Sequence, residues 1–581
     1  MIDDPFDATV ASGAPPALRA FNAAGVLTAA DVHVASRLAR LADDDDPDVL
    51  LAAALAVRAP RLGHVYVDLA TASETTVVEE AEDPVDLAAL PWPDAGRWVE
   101  AVRRSSLSGG PLELDGSRLY LDRYWREERQ TAADLRAFAG TREIDEATLQ
   151  DGLARLFAPA DDLQRRAAAS AVRRRLAVVA GGPGTGKTTT VARIVALLAE
   201  QPGPQPLVAL AAPTGKAAAR LEQSVHEEAA KLDTAPEVRE LLAGLQATTL
   251  HRLLGRRPGS NSRFRHDRSN RLPHDAIVVD ETSMVSLSLM ARLVEAVRPE
   301  ARLVLVGDPG QLSSIEAGAV LGDIVGPATG DGIVVLERVH RYGRAIDALA
   351  GAVRAGNADK TLQLLAEAHE GVTWIPDGDV EAVREEAVAA GRALIEAGRA
   401  GDAPTALRAL GDFRVLCAHR RGPSGVATWT GAIEGWLADA VPGFSAEPRW
   451  YPGRPLLITE NDYGLQLFNG DAGVVIAGED GRPAAAFERR GKVERFSPGR
   501  LEAVETVFAM TVHKSQGSQF STAAVLLPEP GSRLLTRELL YTAITRAQDR
   551  LVLVGSEEAI RAAVARPINR ASGLRHLLWS D

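Results

Sequence analysis

Gly181-Gly182-Pro183-Gly184-Thr185-Gly186-Lys187-Thr188 decides the fold. The apolar residues 176–180 before it read as a buried parallel strand. Residues 189–198 after it read as a helix, with Val191, Ile194, Val195 and Leu198 on one face. Strand, glycine-rich loop and helix are the context of a P-loop. Glycines let backbone N–H groups close around phosphate oxygens, and the helix N-terminus adds its partial positive charge. Lys187 is placed to reach the β- and γ-phosphates, the Thr188 hydroxyl to ligate Mg²⁺, and Thr189 to border the same site. The expected ligand is a nucleoside triphosphate with Mg²⁺.

Further buried strands extend an α/β pattern on both sides. Residues 207–212 run into Pro213-Thr214-Gly215-Lys216, which puts Thr214 and Lys216 at a strand's C-terminal edge, where open α/β sheets bind ligands. Thr248-Thr249-Leu250-His251 opens another helix. Residues 276–281 form a strand ending in Asp280 and Glu281. In a P-loop protein these complete the site: Asp280 holds Mg²⁺ and Glu281 activates the attacking water. Strand 303–306 leads to Gly307-Asp308-Pro309-Gly310-Gln311-Leu312, where Gln311 can sense the γ-phosphate. Upstream, Gln164 can read an adenine edge with its amide donor and its carbonyl. A second αβ block starts near 345 and includes strand 413–417. Residues 446–507 switch to short strands with Gly, Pro and Asn turns, the composition of a small β-barrel insertion. The α/β pattern resumes at Phe508 and ends with strand 551–554.

At 581 residues the chain needs roughly three to five domains. No apolar run approaches the roughly 18 residues of a membrane helix. Met1-Ile2-Asp3-Asp4-Pro5 lacks a signal-peptide pattern. The single cysteine, Cys417, excludes an intrachain disulfide framework. A cytoplasmic protein without a membrane partner is expected. The net charge of −13 is concentrated: residues 1–100 hold six Arg, no Lys and 18 Asp or Glu. The remainder is near neutral, so a basic channel for nucleic acid can coexist with acidic outer faces.

Residues 1–115 read as a separate unit, with helices near 34–41, 48–57 and 96–102 and a strand near 63–69. The run Asp43 to Asp46 reads as a solvated loop, and His64 as structural. Asp115-Gly116 is a hairpin-turn signal. Residues 256–274 carry six Arg and one Asp, and Arg263-Phe264-Arg265 suggests one arm of a small hairpin. That segment is either a disordered basic loop or a projection touching nucleic acid.

In this order the segments resemble superfamily 1 helicases over about 160–555. Residues 181–188 match motif I, 280–284 motif II and 307–312 motif III. Leu336-Glu337-Arg338-Val339-His340-Arg341 is similar to motif IV, 511–520 to motif V, and Tyr541-Thr542-Ala543-Ile544-Thr545-Arg546-Ala547 to motif VI. Within that superfamily the chain most resembles the RecD family, the α subunits of exodeoxyribonuclease V (RecBCD), on residues 415–425 and 461–471 and on its short N-terminal unit.

The resemblance implies two RecA-like domains, 116–345 and 346–445 with 508–581. It also implies an SH3-like insertion at 446–507, a hairpin at 256–274 and an N-terminal unit that docks on a RecC-like subunit. ATP lies between the two motor domains. Arg341 and Arg546 act as arginine fingers, and His340 stands where an aromatic side chain often stacks on adenine. Thr214, Lys216, Thr249, His251, Arg263, Arg265, Asn461, Asn469, Thr511 and His513 are its candidate contacts to single-stranded DNA. Movement is 5′ to 3′, on DNA ends, in a heterotrimer with RecB-like and RecC-like subunits. Gln519 replaces the Glu common in motif V. No nuclease-type carboxylate cluster with a lysine is evident, so cutting would fall to another subunit. A free-standing 5′–3′ helicase and an ATP-gated DNA clamp are the alternatives.

Overall fold

The computed structural model describes residues 10–78, 86–257, 263–326, 332–337, 344–376, 378, 380–462, 464–478, 480–489 and 491–580. Its centre is a sheet of six parallel strands. Their order is Ala247–Thr249, Val208–Ala212, Ala276–Val279, Arg302–Gly307, Leu176–Gly181 and Ile333–Leu336. Every residue of Val208–Ala212 and Ala276–Val279 is buried, as expected of strands covered by helices on both faces. The P-loop strand lies between Arg302–Gly307 and Ile333–Leu336.

A second parallel sheet has the order Val372–Ile375, Ala547–Val554, Phe520–Leu526, Phe413–Cys417, Ala509–Thr511. Strands 333–336 and 372–375 were not expected from the sequence; both are four-residue edge strands.

Between 455 and 506 the chain forms five antiparallel strands. Their order is Lys492–Phe496, Pro483–Arg489, Ala472–Ala477, Pro455–Ile458, Val504–Thr506. They enclose their own core of Leu456, Leu467, Val475 and Phe487. One loop of this unit reaches the first parallel sheet: a Cβ on Gly215 would lie 2.9 Å from Phe468.

The N-terminal unit has a core of Leu18, Phe21, Leu55, Trp98, Leu112 and Leu119. Its boundary is corrected by its sheet. Leu112–Asp115 and Tyr66–Asp68 both pair with Arg118–Leu121, so the unit runs through 121 and a cut at 115 would split a hairpin. The acidic run has local work rather than only solvation. Asp43 closes a helix at φ 52, and the Asp46 carboxylate caps the next by accepting from the Asp48 and Val49 amides.

The second correction is at the C-terminus. Residues 570–579 leave the second parallel sheet and pack on the first. Leu574 is buried there, and the Gly573 amide donates to Glu128 at 2.8 Å. His64 has a structural role: its Nδ1 accepts from the Ala571 amide at 3.0 Å. No described helix is long and apolar enough to cross a membrane.

Candidate nucleotide site and DNA-facing edges

Gly184 (φ 79) and Gly186 (φ 82) adopt left-handed backbone, which the turn into helix Lys187–Ala199 requires. Thr185 Oγ1 donates to Gly182 O at 2.8 Å and pins the loop. Lys187 Nζ donates to the carbonyls of Gly181 (2.7 Å) and Gly182 (2.8 Å). Gln164 is buried, and its Nε2 donates to Thr185 O at 3.2 Å. It therefore abuts the P-loop, as its place upstream suggested.

Lys187, Thr188 and Thr189 share one cleft with Pro183, Gly184, Gly186, Asp280, Glu281, Gln311 and Arg546. Asp280 is buried, and its Oδ1 accepts from the Glu281 amide at 2.8 Å. Desolvation and the adjacent Glu281 charge push its carboxyl up to about 6, while Lys187 pulls the other way. Glu281 sits at φ 51, a backbone strained for a non-glycine residue.

The second sheet closes the cleft through motif VI. Arg546 is 2% exposed. Its Nε donates to Thr542 O (3.0 Å), its Nη1 to Ser518 O (3.1 Å) and its Nη2 to Gln311 Oε1 (3.1 Å). Gln311 Nε2 in turn donates to Asp308 Oδ2 at 3.0 Å, which also accepts from the Tyr541 hydroxyl at 3.0 Å. A Cβ on Gly182 would lie 2.8 Å from that hydroxyl, so a larger residue there would displace it. His340 and Arg341 lie outside the described residues.

The candidate DNA contacts cluster on strand ends. Ala212 pairs with Thr249, so Thr214 and Thr249 stand side by side at the C-terminal edge of the first sheet. Both hydroxyls cap helices, accepting from Ala217 N (3.2 Å) and Arg252 N (3.3 Å). Thr511 ends its strand opposite Cys417 and is buried. Desolvation and Arg570 hold His513 below its usual range, so it is a neutral hydrogen-bonding group. His251, Arg263 and Arg265 are exposed beside one another, with the His251 and Phe264 rings 5.9 Å apart. Arg256 pairs antiparallel with Phe264, which gives the described ends of the basic segment a hairpin pairing. Asn461 Oδ1 accepts from the Asn469 amide at 2.9 Å and so holds its own loop.

Lys216 requires a correction. Its ammonium crosses to the second sheet and donates to Ser518 Oγ at 2.6 Å. Burial lowers it to about 8, and Asp471 opposes that shift. In this structure it joins the two domains. Arg220, one turn further on, was not singled out from the sequence. It lines the cleft, and only its neighbours 300 residues away reveal it.

Residues 159–377 match the AAA domain model, 506–554 the UvrD-like helicase C-terminal domain, and 23–120 the N-terminal domain of RecBCD enzyme subunit RecD. RecBCD enzyme subunit RecD of Mycolicibacterium smegmatis is 52% identical over 561 residues, 96% of this chain and 98% of that protein. The chain belongs to the RecD family. RecBCD enzyme subunit RecD of Mycobacterium tuberculosis is 52% identical over 575 residues, 97% of each chain. The ATP-dependent RecD2 DNA helicase of Deinococcus radiodurans is 32% identical over 90% of this chain and 67% of its own length. The RecD model ends at 120, in agreement with the hairpin that places the N-terminal boundary after 115.

Proposed function

We propose that this chain is the 5′–3′ motor of a RecBCD-type complex, working on single-stranded DNA at double-strand ends with RecB-like and RecC-like subunits. It is an ATP-dependent DNA helicase. The observation that carries its chemistry is Arg546, a cation of the second sheet hydrogen-bonded to Gln311 in the cleft that holds Lys187, Asp280 and Glu281.

The cleft suits magnesium. The Thr188 hydroxyl and the Asp280 carboxylate are hard oxygen donors, and desolvation beside Glu281 disfavours Asp280's charge until a cation compensates it. Mg²⁺ held by Thr188 and Asp280 would offset the charge of the phosphates. The loop amides and Lys187 bind the phosphates, and Lys187 exchanges the Gly181 and Gly182 carbonyls for phosphate oxygens. Gln164 borders the base side. Glu281 takes a proton from the attacking water, and Arg546 stabilises charge on the transferring phosphoryl group. Arg546 and Lys187 come from different sheets, so hydrolysis depends on closure. Closure moves Thr511 and His513 relative to Thr214 and Thr249, and that displacement is the step along DNA. Arg341 is assigned the second finger and His340 the adenine stack.

The antiparallel unit 455–506 is assigned as the SH3-like insertion over the DNA channel, the basic segment 256–274 as a DNA contact, and the N-terminal unit as the dock for the RecC-like subunit. Unwinding of duplexes with a 5′ or a 3′ single-stranded tail tests direction. Exclusive use of the 3′ tail would overturn it. Co-purification with RecB-like and RecC-like chains tests the assembly, and a chain that purifies alone and unwinds DNA would favour a free-standing helicase.

A further inference from the structure

The turn Gly517-Ser518-Gln519 receives three cations. Arg546, from its own sheet, donates to Ser518 O at 3.1 Å. The other two come from the first sheet, one turn apart on helix Gly215–Ala229. Lys216 Nζ reaches Ser518 Oγ at 2.6 Å. Arg220 Nη1 reaches Gly517 O at 3.2 Å, and its Nη2 reaches Gln519 Oε1 at 2.6 Å. The turn answers Arg220 with a carbonyl and a neutral amide; none of its three residues is acidic.

Two features set Arg220 apart from Lys216. First, it lines the nucleotide cleft with Lys187, Asp280 and Glu281, whereas Lys216 does not. Second, its planar fork can take two oxygens of a phosphate at once, and the phosphate's charge attracts it more strongly than the turn's neutral acceptors do, whereas the Lys216 ammonium offers only a point charge. The same turn continues the segment that carries Thr511 and His513, and the Ser515 amide ties it back to Thr511 O at 3.1 Å.

We infer that Arg220 is a positioning residue that exchanges partners, leaving the 517–519 turn for the phosphate side of a bound nucleoside triphosphate and so transmitting nucleotide binding to the DNA-contacting segment 511–519. This rests on the proposed DNA-dependent ATPase and adds the residue through which the two ligands sense each other. Linkage makes the coupling reciprocal: nucleotide changes DNA affinity by the factor by which DNA changes nucleotide affinity.

The test uses the full chain, fluorescent single-stranded DNA and a non-hydrolysable ATP analogue. The quantity read is the ratio of DNA dissociation constants with and without the analogue. Arg220→Ala is expected to bring that ratio to within about twofold of one, and Arg220→Lys, which keeps the charge but loses the planar fork, to an intermediate value. Gln519→Glu, which replaces the neutral acceptor with an ion pair, is expected to shrink the ratio as well, by holding Arg220 on the turn. Gln519→Ala in the Arg220→Ala background should add nothing, since contacting residues are non-additive. A wild-type ratio retained in folded Arg220→Ala, or fully additive effects in the double variant, overturns the inference alone. A wild-type chain whose ATPase ignores single-stranded DNA overturns the functional proposal, and this inference with it.

Discussion

Arg546→Ala separates catalysis from architecture. The side chain is almost fully buried and donates to Thr542 O, Ser518 O and Gln311 Oε1. Its removal strands acceptors in a desolvated place, at about 1–3 kcal/mol for each one left unpaired. Thr542 O also accepts from the Thr545 hydroxyl at 3.0 Å, so one of the three is covered, and a stability loss of about 2–6 kcal/mol is expected. The kinetic loss should be larger. An arginine finger contributes about 10³–10⁵ in rate, which is roughly 4–7 kcal/mol of transition-state stabilisation. Arg546→Lys keeps a charge without the fork and should fall between. The assay is kcat and KM for ATP at saturating single-stranded DNA, beside nucleotide affinity and a urea melt. The expected pattern is a collapsed kcat with nucleotide affinity held within about tenfold. A raised KM at near-wild-type kcat would refute the finger role. A kcat loss that tracks the unfolded fraction would reduce Arg546 to a structural residue.

Lys187→Gln should abolish ATP hydrolysis with the fold intact, because the phosphates lose their cation while Thr185 still pins the loop; turnover near wild type would contradict the P-loop assignment. Asp323 is buried with an unpartnered Oδ2, and desolvation raises its carboxyl from 3.8 to about 6. A raised folded value contributes stability that is complete below 3.8 and lost as pH rises through about 6. Asp323→Asn should therefore gain up to about 3 kcal/mol at pH 7.5 relative to wild type, and nothing at pH 3.5, in denaturant melts; a pH-independent difference would exclude that cause. Truncation after residue 115 removes both partners of strand Arg118–Leu121, whereas truncation after 121 removes the sheet entire. The first product should show the lower melting temperature, and equal values would argue against the corrected boundary.

Much of the nucleotide site was legible because its signals are local. Gly181 to Thr188 and Asp280-Glu281 each end a buried strand, and strand ends of a parallel sheet converge by topology. Gln311 and Arg546 were legible as residue types in motifs, but their contact joins positions from different sheets. The contacts that were not legible share one cause. Lys216 carries the signature of an exposed cation on a strand edge, and only Ser518 shows that it is turned inward. Arg220 sits in an ordinary amphipathic helix. The boundary at 115 followed a correct turn signal, yet the partner that makes the hairpin part of the N-terminal unit is Tyr66–Asp68, about 50 residues earlier. Strands 333–336 and 372–375 are too short for a periodic signal and owe their existence to a neighbouring strand.

The tail that sequence placed with the second sheet constrains how the cleft can open. The Ile568 amide donates to Glu538 Oε2 at 2.7 Å, an anchor on the second sheet's helix Arg537–Ile544. Arg570 Nη1 donates to the carbonyls of Glu316 (2.8 Å) and Gly318 (2.9 Å), an anchor on the first. Only Asn569 lies between the two anchoring residues, so their Cα atoms are at most about 7 Å apart. Leu574 and the Trp579 indole, which donates to Asp323 O at 3.0 Å, hold the rest of the tail on the first domain. While the tail stays docked, this short link limits how far the two domains can separate beside it. Desolvation by burial holds Arg570 at about 10 and His513 below its usual range, with Arg570 adding to the His513 shift. Arg570, which ties the tail to the first domain, thus stands beside His513, a candidate DNA contact.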